Sequence, residues 1–202
     1  MSATREPWSH NIAYFPFIVD VARKRRPSSA IDVGTANGML AARLAEFVPS
    51  VVGLDAHVEQ VAEASAEYPN TPGLRFELGD VLTTRLAEEP FAFVACSATL
   101  HHMDARAGLE RLRDLTAPGG TLVIVGLAFD STPLDRFVHV LTRVPIRLAR
   151  ARRGWFNHGG PVANASESWS AMRGHVRDVL PGAAFRRRLY WRYSVVWDKP
   201  AS

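Results

Sequence analysis

Residues 31–38 read Ile-Asp-Val-Gly-Thr-Ala-Asn-Gly, and a helical pattern follows at once, with Leu40, Ala41, Leu44 and Phe47 at helical spacing. An apolar run that ends on small residues and passes directly into such a pattern is a strand, a tight turn and a helix. In an open α/β sheet this unit turns free N–H groups toward the carboxyl end of the strand, where nucleotide-like ligands bind. A second acid, Asp55, closes the next apolar run, Val51-Val52-Gly53-Leu54, 23 positions after Asp32. A carboxylate at the tip of the neighbouring strand is placed to accept both hydroxyls of a ribose. A dinucleotide fingerprint requires Gly-x-Gly-x-x-Gly, but Ala36 stands at its second glycine and Met39 at its third. The small residues fall instead at 34, 36 and 38.

That spacing resembles the first motif of the class I S-adenosylmethionine-dependent methyltransferases, acid-x-Gly-x-Gly-x-Gly, with Ala36 replacing one glycine. Further motifs follow in the family's order between about residue 10 and residue 200. Leu78-Gly79-Asp80-Val81 ends a third strand. Phe91 to Cys96 is a fourth, leading into Ser97-Ala98-Thr99-Leu100-His101-His102-Met103. Ala117-Pro118-Gly119-Gly120 turns into a fifth, Thr121 to Leu127. The resemblance implies a Rossmann-like, seven-stranded, mostly parallel sheet with helices on both faces and an antiparallel C-terminal strand pair. It implies S-adenosyl-L-methionine as cofactor and S-adenosyl-L-homocysteine as product. On this pattern Asp32 orients the loop and the cofactor amino group. Gly34, Thr35, Ala36 and Gly38 carry backbone past the methionine part, and Asp55 takes the ribose. Ala56, His57 and Gln60 line the adenine side, and Asp80, between Gly79 and Val81, meets the adenine amino group. Ser97 and Tyr14 complete the cofactor set. The subtype most similar is the small-molecule, ubiquinone/menaquinone-biosynthesis type.

Composition agrees with one globular domain. A chain of 202 residues buries roughly 70% of its unfolded surface. Its 47% hydrophobic and 22% charged content is that of a folded protein. One cysteine rules out an internal disulfide and argues against a thiolate metal cluster. The N-terminus lacks a signal-peptide pattern and no segment reaches the length of a membrane span, so a cytoplasmic protein is expected. Strands expected near 30–33, 51–54, 74–78, 91–96 and 121–128 alternate with helices, one of them from about Val58 to Glu67. The chain divides into an N-terminal helical lid (1–29), a cofactor-binding core (30–130), a helical substrate lid (131–182) and a final strand pair (183–202). The pair is placed at Ala184 to Arg192 and Tyr193 to Trp197, after a helix near 167–180.

The net charge of +4 conceals an asymmetry, because residues 131–202 hold 13 basic and 4 acidic side chains. Such a segment favours an anionic substrate, an anionic lipid surface or a nucleic acid. Arg143 to Arg153 is its densest stretch. Tyr14, Phe15, Trp155, Phe156 and Trp169 are candidates for an aromatic lid over substrate or over the sulfonium cation.

His101 and His102 lie just past the fourth strand, at the mouth of the expected site. An imidazole there suits removal of a proton from an alcohol or phenol near neutral pH. Asp130, after the fifth strand, is placed to face substrate or to orient a histidine. Cys96 reads as a core thiol, since a cytosine-C5 methyltransferase needs a nucleophilic cysteine, typically after proline, and Ala95 precedes this one. No metal site is expected, because adjacent histidines point apart and no acidic cluster accompanies them. The expected reaction is methyl transfer to oxygen, nitrogen or carbon of a small molecule, anionic or aromatic in character. The alternatives are an RNA or protein methyltransferase and a non-catalytic partner subunit of the same fold. Ser97-Ala98-Thr99-Leu100 stands where exocyclic-amine nucleic-acid methyltransferases carry Asp/Asn-Pro-Pro-aromatic, which argues against nucleic acid. The intact acids Asp32, Asp55 and Asp80 argue against an inert scaffold.

Overall fold

The structure is a computed structural model and describes residues 9–129, 165, 167–189 and 191–201. Seven strands form one sheet: β1 (Ser29–Val33), β2 (Ser50–Asp55), β3 (Leu74–Leu78), β4 (Phe91–Ser97), β5 (Thr116–Leu127), β6 (Ala184–Arg187) and β7 (Arg192–Asp198). Their order is β3-β2-β1-β4-β5-β7-β6. The first five run parallel and β7 is antiparallel to both β5 and β6. The helices are α1 (Phe15–Arg25), α2 (Met39–Ala45), α3 (Val58–Glu67), α4 (Ala105–Leu115) and α5 (Trp169–Val179). This is the expected Rossmann-like architecture. The strand order reverses between β1 and β4, and at such a switch point the crevice opens at the carboxyl ends of the strands.

Period-two alternation assigns each strand residue to one of two layers. Ala30, Val51, Phe93, Ala95, Val123 and Val125 pack with Ile18 and Ala22 of α1 and Leu40, Ala41 and Leu44 of α2. Ile31, Val33, Val52, Val94, Leu122 and Ile124 face the other way, onto Leu109, Leu112 and Leu115 of α4 and Met172, Val176 and Val179 of α5. Helix α1, assigned from sequence to a lid, thus also contributes fully buried side chains to the core. Trp169 likewise belongs to the core, edge-on to Tyr193 with 6.3 Å between ring centroids.

Two boundaries differ from the sequence reading. Strand β5 begins at Thr116, which pairs with Phe91 before the register shifts and resumes at Phe93–Thr121. The residues 117–120 therefore form an irregularity inside the strand, where a methyl on Gly120 would meet the carbonyls of Ala117 and Ala92 within 3 Å. Arg192 opens β7 where it was expected to end the preceding strand, and Arg188, Leu189 and Trp191 belong to the turn before it. Trp191 closes that turn in the left-handed region (φ 56°), and Arg188 N–H donates to the Arg192 carbonyl at 2.7 Å.

Candidate active site

The loop between β1 and α2 is anchored on both sides. Gly34 and Thr35 each donate their N–H to the Leu54 carbonyl, at 2.8 and 3.1 Å, which ties the turn to β2. Asp32, 2% exposed, accepts the Thr35 hydroxyl at 2.9 Å. Burial pushes its carboxyl up to about 7, and the nearby Asp55 charge pushes the same way against the Thr35 bond. Gly34 and Gly38 take φ of +73° and +80°. A side chain at 34 would drive into Thr99 on the loop after β4, and one at 38 would come within 2.6 Å of the Phe76 ring on β3. These glycines let the loop lie against its own protein neighbours. Ala36 is also left-handed, at φ 48°, a conformation costing about 1 kcal/mol for a residue with a Cβ.

Asp55 holds that strained loop. One oxygen accepts the Ala36 N–H at 2.9 Å and the other the His57 N–H at 3.0 Å, and the carboxylate is 8% exposed. Its carbonyl receives the Gly79 N–H at 2.8 Å, bringing the end of β3 alongside. Ala56 and His57 are exposed on the rim. Gln60, on the first turn of α3, is buried with its Oε1 lacking a hydrogen bond among the described residues. Asp80 is exposed and accepts the Leu82 N–H at 2.8 Å, closing a turn, while Val81 beside it is buried. The loop carrying Val81 is clamped from below by Arg111 of α4, which donates to the Val81 and Thr84 carbonyls at 2.9 and 2.8 Å and pairs with Glu89.

A cavity opens at the carboxyl ends of β1 and β4. Asp32, Gly34, Thr35, Ala36, Asn37 and Ser97 line one side, and Leu40 the base of α2. Asn11, Ile12 and Phe15 from the N-terminal segment line the other. The Ser97 hydroxyl is buried there without a partner among the described residues. Tyr14, the residue of this segment that the sequence assigns to the cofactor set, donates its hydroxyl to the Leu189 carbonyl at 2.7 Å.

His101 and His102 occupy a single 3-10 turn, Leu100–His102, with ring centroids 4.2 Å apart. They face different surroundings. Burial, with His102 and Arg192 nearby, depresses His101 to about 4, and its Nδ1 is buried without a hydrogen bond among the described residues. His102 is exposed, and burial and His57 lower its pKa while Asp55 opposes the shift. Cys96 is wholly buried, and burial pushes its thiol up to about 12, which makes it inert. Asp130, the Arg143–Arg153 stretch, Trp155 and Phe156 lie outside the described residues. Among the described residues no cluster of three or more His, Cys, Asp or Glu side chains could hold a metal ion, and no helix is long and apolar enough to cross a membrane.

Comparison with known proteins bears on this geometry. A family model described as a methyltransferase domain matches residues 30–120. An uncharacterized methyltransferase of Mycobacterium tuberculosis, Rv0089, is 34% identical over 197 residues, covering 96% of this chain and 98% of that protein. The chain belongs to the class I S-adenosylmethionine-dependent methyltransferases. Solved structures of the same fold include the N-methyltransferase NodS of Bradyrhizobium japonicum in complex with S-adenosyl-L-homocysteine. It has a TM-score of 0.65 and 16% identity, with 98% of this chain and 94% of that one covered. Magnesium protoporphyrin IX methyltransferase of Synechocystis, also with bound S-adenosyl-L-homocysteine, has a TM-score of 0.64 and 18% identity over 93% of this chain and 82% of its own. The methyltransferase is thus an enzyme of a family that uses S-adenosyl-L-methionine.

Several site features were not read from sequence. Asn11, Ile12 and Asn37 line the cavity, Thr99 fills the space beside Gly34, and Arg111 and Arg192 hold loops from a distance. The positions of Asn37 inside the first motif and of Thr99 inside the run after the fourth strand were the signals available.

Proposed function

We propose that this methyltransferase binds S-adenosyl-L-methionine in the cavity beside Asp32 and Ser97 and transfers its methyl group to a small-molecule acceptor. The observation that carries the reading is the pair of nearly buried carboxylates, Asp32 and Asp55, at the tips of adjacent strands on either side of one left-handed loop. That donor set fits the group. A carboxylate beside the cavity suits a ligand carrying an ammonium and a sulfonium, and Asp55 retains acceptor capacity for ribose hydroxyls beyond its two amide bonds. Gln60 and Ser97 supply polar atoms not committed elsewhere among the described residues. Val81, Gly79 and the backbone of residues 56 and 57 complete an edge of the right character for adenine, with Asp80 at its rim.

When bound, the cofactor supplies an electrophilic methyl group. The protein's part is then to align the acceptor and keep water out, the effects that dominate an in-line displacement. His101 stays neutral at working pH because its pKa is depressed to about 4. A base that weak lies well below the pH at which general-base assistance is efficient. His101 therefore serves as a neutral hydrogen-bonding wall, and His102 is the better candidate for taking a proton from a hydroxyl acceptor. Small-molecule transfer is preferred over RNA because the loop after β4 carries Ser97 to Leu100 in place of the Asp/Asn-Pro-Pro-aromatic run.

The reading is tested by titrating the protein with S-adenosyl-L-homocysteine in a calorimeter, then supplying methyl-labelled cofactor with pooled small phenols, amines and carboxylic acids, with transfer RNA, and with protein. Saturable binding and label in a small molecule are expected. Label in RNA or protein would overturn the choice of acceptor, and absence of cofactor binding would overturn the site.

A further inference from the structure

The N-terminal segment reaches the cavity as a short 3-10 turn, Ile12–Tyr14, whose first N–H is accepted by the Ser9 hydroxyl at 3.2 Å, and it runs into α1. Three residues on its line, Asn11, Ile12 and Phe15, face the cavity. A one-turn helix is marginal by itself, so its position is set by what grips it. That grip comes from the turn between β6 and β7, more than 170 residues away in sequence. Arg192 donates through Nη2 to Asn11 Oδ1, and the Tyr14 hydroxyl donates to the Leu189 carbonyl at 2.7 Å. His10 lies against Trp191 with 5.9 Å between ring centroids, and the Arg188 guanidinium sits 4.5 Å from the centre of the Phe17 ring.

We propose that Arg192 is a positioning residue of the cofactor site: by holding Asn11 it fixes the N-terminal segment across the cavity, with Tyr14 and Leu189 as a second fastening. The proposal rests on the reading of this cavity as the cofactor site. Arg192 suits the task because it stands at the start of β7, in register with Leu127 at the end of β5, at the same rim as the loop after β4. Only 6% of it is exposed, so the guanidinium is held in a fixed pose. Its field also reaches His101, whose protonation it opposes. One cation thus touches the cavity-lining segment and biases a histidine on the loop after β4. Asn11, which lines the cavity, is held there by the bond its carbonyl oxygen accepts from Arg192. The bond from the Tyr14 hydroxyl to Leu189 keeps the 3-10 turn from swinging out.

The test compares the wild type with Tyr14→Phe, Arg192→Met and Arg192→Lys. It uses amide hydrogen exchange over residues 9–15, calorimetry with S-adenosyl-L-homocysteine, and NMR titration of the His101 ring. Tyr14→Phe keeps the ring and removes one hydrogen bond. It should speed exchange in that segment and weaken binding by about three- to tenfold, in keeping with a net hydrogen bond near 1 kcal/mol. Arg192→Met should do the same and raise the His101 pKa. Arg192→Lys should leave that pKa low while the bond from Nη2 to Asn11, placed by the longer planar guanidinium, and with it the affinity, is lost. Faster exchange with unchanged affinity in Tyr14→Phe would overturn the positioning role, as would unchanged exchange. If Arg192→Met does not fold, Tyr14→Phe and Arg192→Lys still decide the matter. A wild type that protects residues 9–15 from exchange yet binds no S-adenosyl-L-homocysteine would overturn the cofactor reading, and the positioning role with it.

Discussion

Asp55 bonds the backbone of Ala36, accepting its N–H at 2.9 Å from the neighbouring strand tip. The contact joins a residue expected to read the ribose to the one position where the first motif departs from glycine. Ala36 takes a left-handed φ that a methyl-bearing residue resists, and the charge-assisted bond offsets the cost. The acid is therefore the brace of the loop as well as the proposed ribose acceptor.

Replacing Asp55 consequently has two separable effects. Asp55→Ala should lower cofactor affinity by about 1.5–3 kcal/mol, the range for a hydrogen bond to a charged group, and should also lower the melting temperature of the free protein. Asp55→Asn keeps one acceptor for the loop and should recover part of the stability but little of the affinity. Calorimetry and thermal unfolding on the same samples distinguish the two. Equal affinity for wild type and both variants would remove Asp55 from the ribose.

Gly34→Ala should destabilise the fold by about 1–3 kcal/mol, because it combines a left-handed φ with a collision against Thr99. In a Thr99→Ala background the two closest contacts, to Oγ1 and Cγ2, are removed and only the contact to the Cβ at 2.7 Å remains. The collision is reduced, so the double variant should be more stable than additivity predicts. Denaturant titration of the four proteins gives the coupling directly. Strict additivity would show that Thr99 is not what excludes a side chain at 34.

The raised pKa of Asp32 makes both stability and binding depend on pH. Its folded value of about 7 exceeds the ordinary 3.8. The stabilisation relative to the unfolded chain is then fully present below pH 3.8 and is lost as pH rises to about 7. A cationic ligand favours the ionised carboxyl, so cofactor binding near neutral pH should release a proton. Calorimetry in buffers of different ionisation enthalpy should detect that release at pH 6.5 in the wild type and not in Asp32→Asn. The ionisable side chains that interact electrostatically with Asp32 are Asp55 on β2 and Cys96 on β4, and the Asn variant isolates the share of Asp32. Equal proton release from both proteins would assign it elsewhere.

For His101 the sign is reversed. Its folded pKa of about 4 lies below the ordinary 6.5, so its contribution to stability is present above pH 6.5 and is lost as pH falls toward 4. His101→Gln should flatten that part of the acid unfolding curve. The free-enzyme profile of kcat/KM should show no limb near 6.5 attributable to His101, and His102→Ala should lower kcat more than His101→Gln does at pH 7.5. A larger loss from His101→Gln would return the base to the more buried ring.

The chain of local patterns was legible because each is short-range. Asp32 and Asp55 end apolar runs, the small residues 34 to 38 mark a turn that side chains would block, and α3 begins at Val58 and ends at Glu67 as its periodicity requires. Period and turn chemistry act over a few residues, so one sequence displays them. The residues that tertiary structure alone selected act across gaps that no local pattern encodes. Arg192 meets Asn11 and Tyr14 meets Leu189 only because β7 lies beside β5 and carries its preceding turn to the N-terminal segment. His101 and His102 are identical neighbours in sequence. Their separation into a half-buried weak base and an exposed ring follows first from the deeper burial of His101, with Arg192 adding to its shift while His57 and Asp55 act on His102. Packing decided those roles, because burial and the field of distant charges are properties of the assembled sheet.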